Sequence, residues 1–229
     1  MPEPYNREQV VVLLKEKAQL KQTVYDHTLN AFNILKILQQ KMTRDYNKRL
    51  EDADARVQLK YRSRGDFESE LKVAGDLLLF SMHSNIFEFD REHHIWSMPY
   101  VKQNPLNSYC GIIHIYNFLS DSFKYNREED LGYLITRIFI NLENHFFVEG
   151  KRQGKYSYKH FDQQKLTREG LEHILQTAIQ YALEFDLLVP PYDHVKIASV
   201  AQMNEKIIHS KLQTGKRLGF RFNSDDVQE

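Results

Sequence analysis

The sequence predicts an α+β protein: a long N-terminal helix, a central antiparallel sheet of five to seven strands, and C-terminal helices packed on that sheet. Three observations lead there. Residues 8–60 hold neither Gly nor Pro and carry apolar side chains at helical spacing. Residues 65–150 change to two-residue alternation and gather 15 of the 28 aromatic residues. Beyond Thr167 the helical period returns. Charge divides the chain at the same places. Lys+Arg against Asp+Glu is 13 to 8 in residues 1–64, 6 to 13 in residues 65–150, and 12 to 10 in residues 151–229. We therefore expect a helical arm over 1–64, an α+β core domain over 65–214 and a flexible tail over 215–229.

The arm is the first element. Val10, Leu13, Leu20, Val24, Ala31, Ile34 and Leu38 recur on steps of three and four, the seam of a heptad, with Lys17, His27 and Lys41 interrupting it. Leu14, Leu35 and Met42 widen the stripe. A long apolar seam needs a cover, so a homodimer is expected, with Leu13, Leu20, Val24, Ala31, Ile34 and Leu38 as dimerisation contacts. Packing of the arm on its own chain stays open as the other cover. Past Met42 the stripe gives way to opposite charges at i,i+3 and i,i+4, a solvated helix that should continue to about residue 60 and break at Ser63-Arg64-Gly65-Asp66.

In the centre, Leu71–Phe80, Ile86–Phe89 and His94–Val101 are expected strands, with Ser84-Asn85 a turn and Asn104-Pro105-Leu106-Asn107 a loop. Gly111–Phe118 alternates, placing Ile112, His114, Tyr116 and Phe118 on one face. Tyr133–Ile140 and His145–Val148 form a hairpin around Asn141-Leu142-Glu143-Asn144. Pairing Ile140 with His145 sets Leu134, Thr136, Ile138, Ile140, His145, Phe147 and Glu149 on one face, and Arg137, Phe139, Phe146 and Val148 on the other. Both faces are apolar, so this hairpin should be covered on both sides. Thr167 is the expected N-cap of a helix bearing Leu171, Ile174, Leu175, Ala178, Ile179 and Ala182. A last helix is expected near Ser199–Leu212, and the alternating Leu218, Phe220 and Phe222 could add an edge strand.

Composition narrows the function classes. One cysteine, Cys110, forms no internal disulfide and suits a reducing cytoplasm. The N-terminus lacks the pattern of a signal peptide, and no apolar run approaches the ~20 residues of a membrane helix. Tyr109, Tyr116, Phe118, Phe123, Tyr125 and Tyr133 stand among Asp121, Glu128, Glu129 and Asp130, which repel phosphate, so nucleic acid is not an expected partner.

One motif points to chemistry. Phe146-Phe147-Val148-Glu149-Gly150-Lys151 is an apolar strand running into Glu-x-Lys, with Asp130 upstream. This resembles the metal-dependent nuclease core written PD-(D/E)xK, over about 22 residues and with Glu129 where that pattern has Pro. The resemblance implies Mg²⁺ held by the carboxylates of Asp130 and Glu149, with Lys151 orienting the attacking water. Five of the ten histidines (His83, His93, His94, His114 and His145) lie in the centre, but without metal-ligand spacing. There is no Gly-x-Ser-x-Gly elbow and no phosphate loop, and Cys110 is expected as a buried small hydrophobe.

The favoured expectation is a non-catalytic cytoplasmic ligand- or partner-binding, regulatory protein that assembles through its N-terminal helix and uses no cofactor. His114, Tyr116, Lys151 and Arg152 are its candidate ligand contacts. The alternative is the Mg²⁺ nuclease with Asp130, Glu149 and Lys151.

Overall fold

The computed structural model describes residues 6–152, 154–189, 191–197 and 199–200. Helix α1 (Arg7–Leu13) begins at a capping box: the Asn6 side chain accepts from the Gln9 amide at 2.8 Å, and the Gln9 side chain accepts from the Asn6 amide at 2.9 Å. A π-helical turn (Leu14–Ala18) carries it into α2 (Gln19–Arg49). The helix ends at Arg49, short of residue 60. Asn47 explains the stop. Its Nδ2 donates to the Leu59 carbonyl and its Oδ1 accepts from the Leu59 N–H, both at 2.8 Å, which closes residues 50–58 into a looped return. The charged stretch there offered no apolar stripe to bury, so propensity alone had nothing to sustain it.

Strand β1 (Lys60–Ser63) follows and pairs with β2, so the expected boundary at residue 64 falls inside the sheet. The arm is no separate unit. Leu20, Val24, Ala31 and Leu38 are 0–4% exposed within a single chain, and Ile34 packs half-buried against the same core. Their assignment as dimer contacts is thereby corrected: a side chain with no surface left has none to offer a second copy. A three-four stripe fits a sheet face as well as a partner helix. Of the expected contacts, only Leu13 stays exposed, at 44%.

Strands β2 (Glu68–Val73), β3 (Asp76–Met82), β4 (Phe87–Glu88), β5 (Tyr109–Leu119), β6 (Tyr133–Asn141) and β7 (Phe146–Gly150) complete a seven-stranded antiparallel sheet in the order β1-β2-β3-β5-β6-β7, with β4 on β5. The run read as one strand over 71–80 is two, folded at Ala74-Gly75, where Ala74 takes φ 51°. Residues 94–101 are helical rather than extended. The His93 ring Nδ1 accepts from the Ile95 N–H at 3.2 Å, and Pro99 opens α3 (Pro99–Gln103).

The β6–β7 hairpin sits one residue from the expected register. Ile140 pairs with Phe146, not His145. The loop is Leu142-Glu143-Asn144, ending on Asn144 at φ 59°, and Asn141 N–H donates to the His145 carbonyl at 3.0 Å. The slip exchanges the whole of β7 between faces. Ile138, Ile140, Phe146 and Val148 share one face, and Arg137, Phe139, Phe147 and Glu149 the other.

Helices α2 and α5 (Arg168–Glu184) cover the first face, burying Leu35, Leu71, Phe80, Ile113, Ile138, Phe146, Ile174 and Leu175 in one core. Thr167 caps α5 as expected, its Oγ1 accepting from the Gly170 N–H at 3.1 Å. Short helices α4 (Ser120–Lys124) and α6 (Tyr192–Val195) complete the elements among the described residues. The expected helix near 199–212 and the tail 215–229 lie outside the described residues apart from Ser199 and Val200.

Candidate ligand-binding face

Among the described residues, the face of the sheet turned away from α2 and α5 is roofed only at its ends. At one end Ile95, Val101 and Phe161 close over Cys110, Phe139 and Phe147. At the other, α4 folds back so that the Phe123 ring meets Phe118 edge-on at 5.3 Å, with the Arg64 guanidinium 5.8 Å from the Phe123 ring. Between the two roofs runs a window of half-exposed sheet.

Strand register writes the window as two cross-strand rows. Ser81, His114, Arg137 and Glu149 pair in succession across β3, β5, β6 and β7. One step along the strands, Leu79, Tyr116 and Leu134 do the same. A bulge at Ile135 realigns β6 between the rows, so that Leu134 and Arg137, three residues apart, share the face. The first row is polar and partly cationic. The second is a flat apolar strip with Leu134 40% exposed.

The charges in the first row are ordered. Arg137 donates to Glu149, whose other oxygen lies 3.3 Å from His93 Nε2. Both partners of the ion pair are partly solvated, so its worth is at most about 1 kcal/mol and its role is positional. Burial holds the His114 imidazole below its ordinary pKa, helped by the nearby charges of Arg137 and His83. The folded chain therefore takes up a proton at His114 less readily than the unfolded chain, and this contribution to stability is full above pH ~6.5 and erodes as pH falls below it.

His114 and Tyr116 thus lie where the sequence placed them, on one face with rings 5.8 Å apart. Lys151 and Arg152 do not join them. Lys151 sits in the turn after β7, its N–H bonded to the Ile135 carbonyl at 3.0 Å, and Arg152 pairs with Glu184 at the end of α5, on the helix side of the sheet. Nor do the nuclease residues converge. The Asp130 side chain is 3% exposed and accepts from Ser122 Oγ at 2.7 Å, with Arg127 at 3.7 Å. Glu149 lies opposite Arg137, whereas Asp130 precedes β6, whose first residue, Tyr133, is four strand residues or ~13 Å of backbone from Arg137. The structure thus gives the expected Asp130–Glu149–Lys151 set separate surroundings: Glu-x-Lys is a strand end whose glutamate is engaged by Arg137 and His93, and Asp130 is engaged by Ser122 and Arg127.

Arg137, Leu79 and Leu134 went unrecognised in the sequence. A lone arginine within the apolar run Tyr133–Ile140 was the available signal. A second polar group also escaped notice: Tyr100 Oη donates to Glu143 at 2.8 Å, accepts from Asn141 Nδ2 at 2.8 Å and lies 3.1 Å from His145 Nδ1. Burial pushes its phenol pKa up, and it ties α3 to the hairpin loop. Cys110 is buried, and burial pushes its thiol up as well, away from nucleophilic use.

Among the described residues no three of His, Cys, Asp and Glu are grouped to hold a metal ion, and no helix is long and apolar enough to cross a membrane. No family model, curated protein or solved structure matches this chain.

Proposed function

We propose that the chain is a non-catalytic binding module of the cytoplasm whose uncovered sheet window takes a ligand with a flat apolar body and an anionic end. The observation that carries this reading is the pairing of two unlike rows on one rigid surface. Leu79, Tyr116 and Leu134 give a strip for a ring or chain, while Arg137 and His114 stand one step away. The depressed His114 pKa supports an anion rather than a cation, because one of its causes is positive charge already in place. Rigid strands hold the contacts, so little ordering is needed on binding.

A generic aromatic carboxylate, 2-naphthoate, probes this directly. In ¹⁵N-edited NMR it should shift the amides of His114, Tyr116 and Arg137 and raise the His114 titration midpoint, since a bound anion favours imidazolium. Tyr116→Ala and Arg137→Gln should each weaken it about tenfold, the ~1.4 kcal/mol of one contact. Shifts scattered outside the window, or a His114 midpoint that does not move, would reject the site.

Assembly through the N-terminal helix remains part of the proposal, now confined to its first turns. Val10, Val11, Val12, Leu13 and Leu14 are 44–60% exposed and α1 buries no residue. Sedimentation equilibrium of the doubly substituted Leu13→Lys, Leu14→Lys chain should give monomer where the parent gives dimer. A parent that is monomeric at high micromolar concentration removes the idea.

A further inference from the structure

Beyond the window, beside α4, the same sheet face ends in a cleft of about 200 Å³ between Phe118, Phe123, Asn126, Arg127, Glu128 and Asp130. Its walls are in place before any ligand arrives. The backbone at Gly132 lies so close to the Phe118 ring that a Cβ there would come within 2.3 Å of it, and Phe123 meets Phe118 edge-on at 5.3 Å. Asn126, at φ 50°, turns the chain back after α4, and the Ser122 carbonyl accepts from the Arg127 N–H at 2.8 Å. Ser122 Oγ holds Asp130 at 2.7 Å. The two rings make an aromatic corner, and the returning loop sets charged groups against it.

The balance of those charges is negative. Glu128 and Asp130 line the cleft against Arg127. Arg127 answers Asp130, 3.7 Å away, and lies 5.5 Å from the Tyr125 ring. Glu128, at the exposed rim, accepts from the side-chain amide of Asn126 at 3.0 Å, a neutral donor that does not cancel its charge. Cations of the chain already stand over the neighbouring rings: the Arg64 guanidinium is 5.8 Å from Phe123, and Lys124 Nζ is 4.8 Å from Tyr125. Size sets the class of ligand further. An apolar cavity of about 150 Å³ takes a benzene ring, so this cleft has room for one ring and a short charged arm.

We propose that this cleft is a binding site for a small organic cation, with an apolar ring seated against Phe118 and Phe123 and an ammonium group beside Glu128 and Asp130. The site goes beyond the window and has the opposite preference, since the window offers Arg137 and His114 to an anion. It stands whether or not the window binds 2-naphthoate.

The test titrates the full chain with 2-phenylethylammonium in ¹⁵N-edited NMR, beside its neutral isostere 2-phenylethanol. The amides of Phe123, Asn126, Glu128 and Gly132 should shift together and saturate, and the alcohol should bind about tenfold more weakly. Phe123→Ala should weaken the cation about tenfold. Glu128→Gln, which keeps an acceptor for Asn126, should weaken it about threefold, as for one exposed ion pair. Both side chains are exposed, and an otherwise unchanged spectrum of each variant separates lost binding from lost folding. Equal affinity for alcohol and ammonium, an affinity indifferent to either substitution, shifts confined to other parts of the chain, or no shift up to the solubility of the probe would overturn the proposal. The same spectra report 2-naphthoate at His114, Tyr116 and Arg137, so failure of one site is told apart from failure of the other.

Discussion

Gly111→Ala should destabilise the fold by about 3 kcal/mol, the upper part of the range for overpacked cores, and lower the melting temperature by ~6–12 °C for a chain of this length. The reason is a contact between backbone and helix. Gly111 sits on β5 where α2 crosses it, and a Cβ built there would lie 2.0 Å from Thr28 Oγ1, 2.8 Å from its Cβ and 2.9 Å from its Cγ2. Thr28 cannot swing away freely. It is fully buried, and its hydroxyl donates to the Val24 carbonyl at 2.7 Å. Relief therefore requires α2 to lift from the sheet, which loosens the packing of Leu20, Val24, Ala31 and Leu38 together. The double variant Thr28→Ala, Gly111→Ala removes the two γ atoms but keeps the 2.8 Å approach of Cβ. It should recover about 1 kcal/mol of the loss, a coupling read from a double-mutant cycle. Additive losses in that cycle, or a melting shift under about 2 °C for Gly111→Ala alone, would show that α2 does not bear on β5 at this point.

The same crossing separates what the sequence made legible from what it hid. Period is a local property, and it carried. The alternation of Ile112, His114, Tyr116 and Phe118 emerged as one face of β5, and the stripe of Leu171 to Ala182 emerged as the buried side of α5. What covers a stripe is not local. Leu20 to Leu38 read equally well as a dimer seam or as a lid on the sheet, and only the position of Gly111, a strand residue without a side chain, hinted that a helix must come close. Capping hid other elements. His94–Val101 is β-branched and aromatic enough for a strand, but a His93 ring nitrogen and Pro99 start helical turns there. The candidate site was half visible for the same reason. His114 and Tyr116 share one strand, whereas their neighbours Leu79, Leu134 and Arg137 arrive through register and a bulge, which no single-strand pattern encodes. Asp130 and Glu149 come to separate surroundings through distance along β6, a quantity absent from any motif.

Asn141→Ala should be the other severe substitution, at about 3 kcal/mol, because this residue fixes a register that hydrophobic pattern leaves undecided. Near the turn both faces of the hairpin are apolar. Pairing Ile140 with His145 would put His145 where Phe146 now sits and Phe147 where Val148 now sits, so an aromatic side chain would still be buried on the helix side. The loop decides. Asn141 is fully buried, and its Oδ1 accepts from the N–H groups of His145 at 2.9 Å and Glu143 at 3.1 Å, while its Nδ2 donates to Tyr100 Oη. Its carbonyl lies 3.3 Å from His27 Nδ1, which links the loop to α2. Alanine deletes the three side-chain bonds and leaves the buried His145 N–H without its acceptor, a loss of ~1–3 kcal/mol by itself. The consequence reaches the ligand face, since a one-residue slip of β7 would carry Glu149 across the sheet and leave Arg137 without its carboxylate. Hydrogen exchange should therefore show protection falling at Ile138, Ile140, Phe146 and Val148 well before the β2–β3 amides, and 2-naphthoate binding should weaken although no ligand contact was changed. Uniform loss of protection across both hairpins would mean that Asn141 supports only general stability, and that the register of β7 is held by its packing against α5 instead.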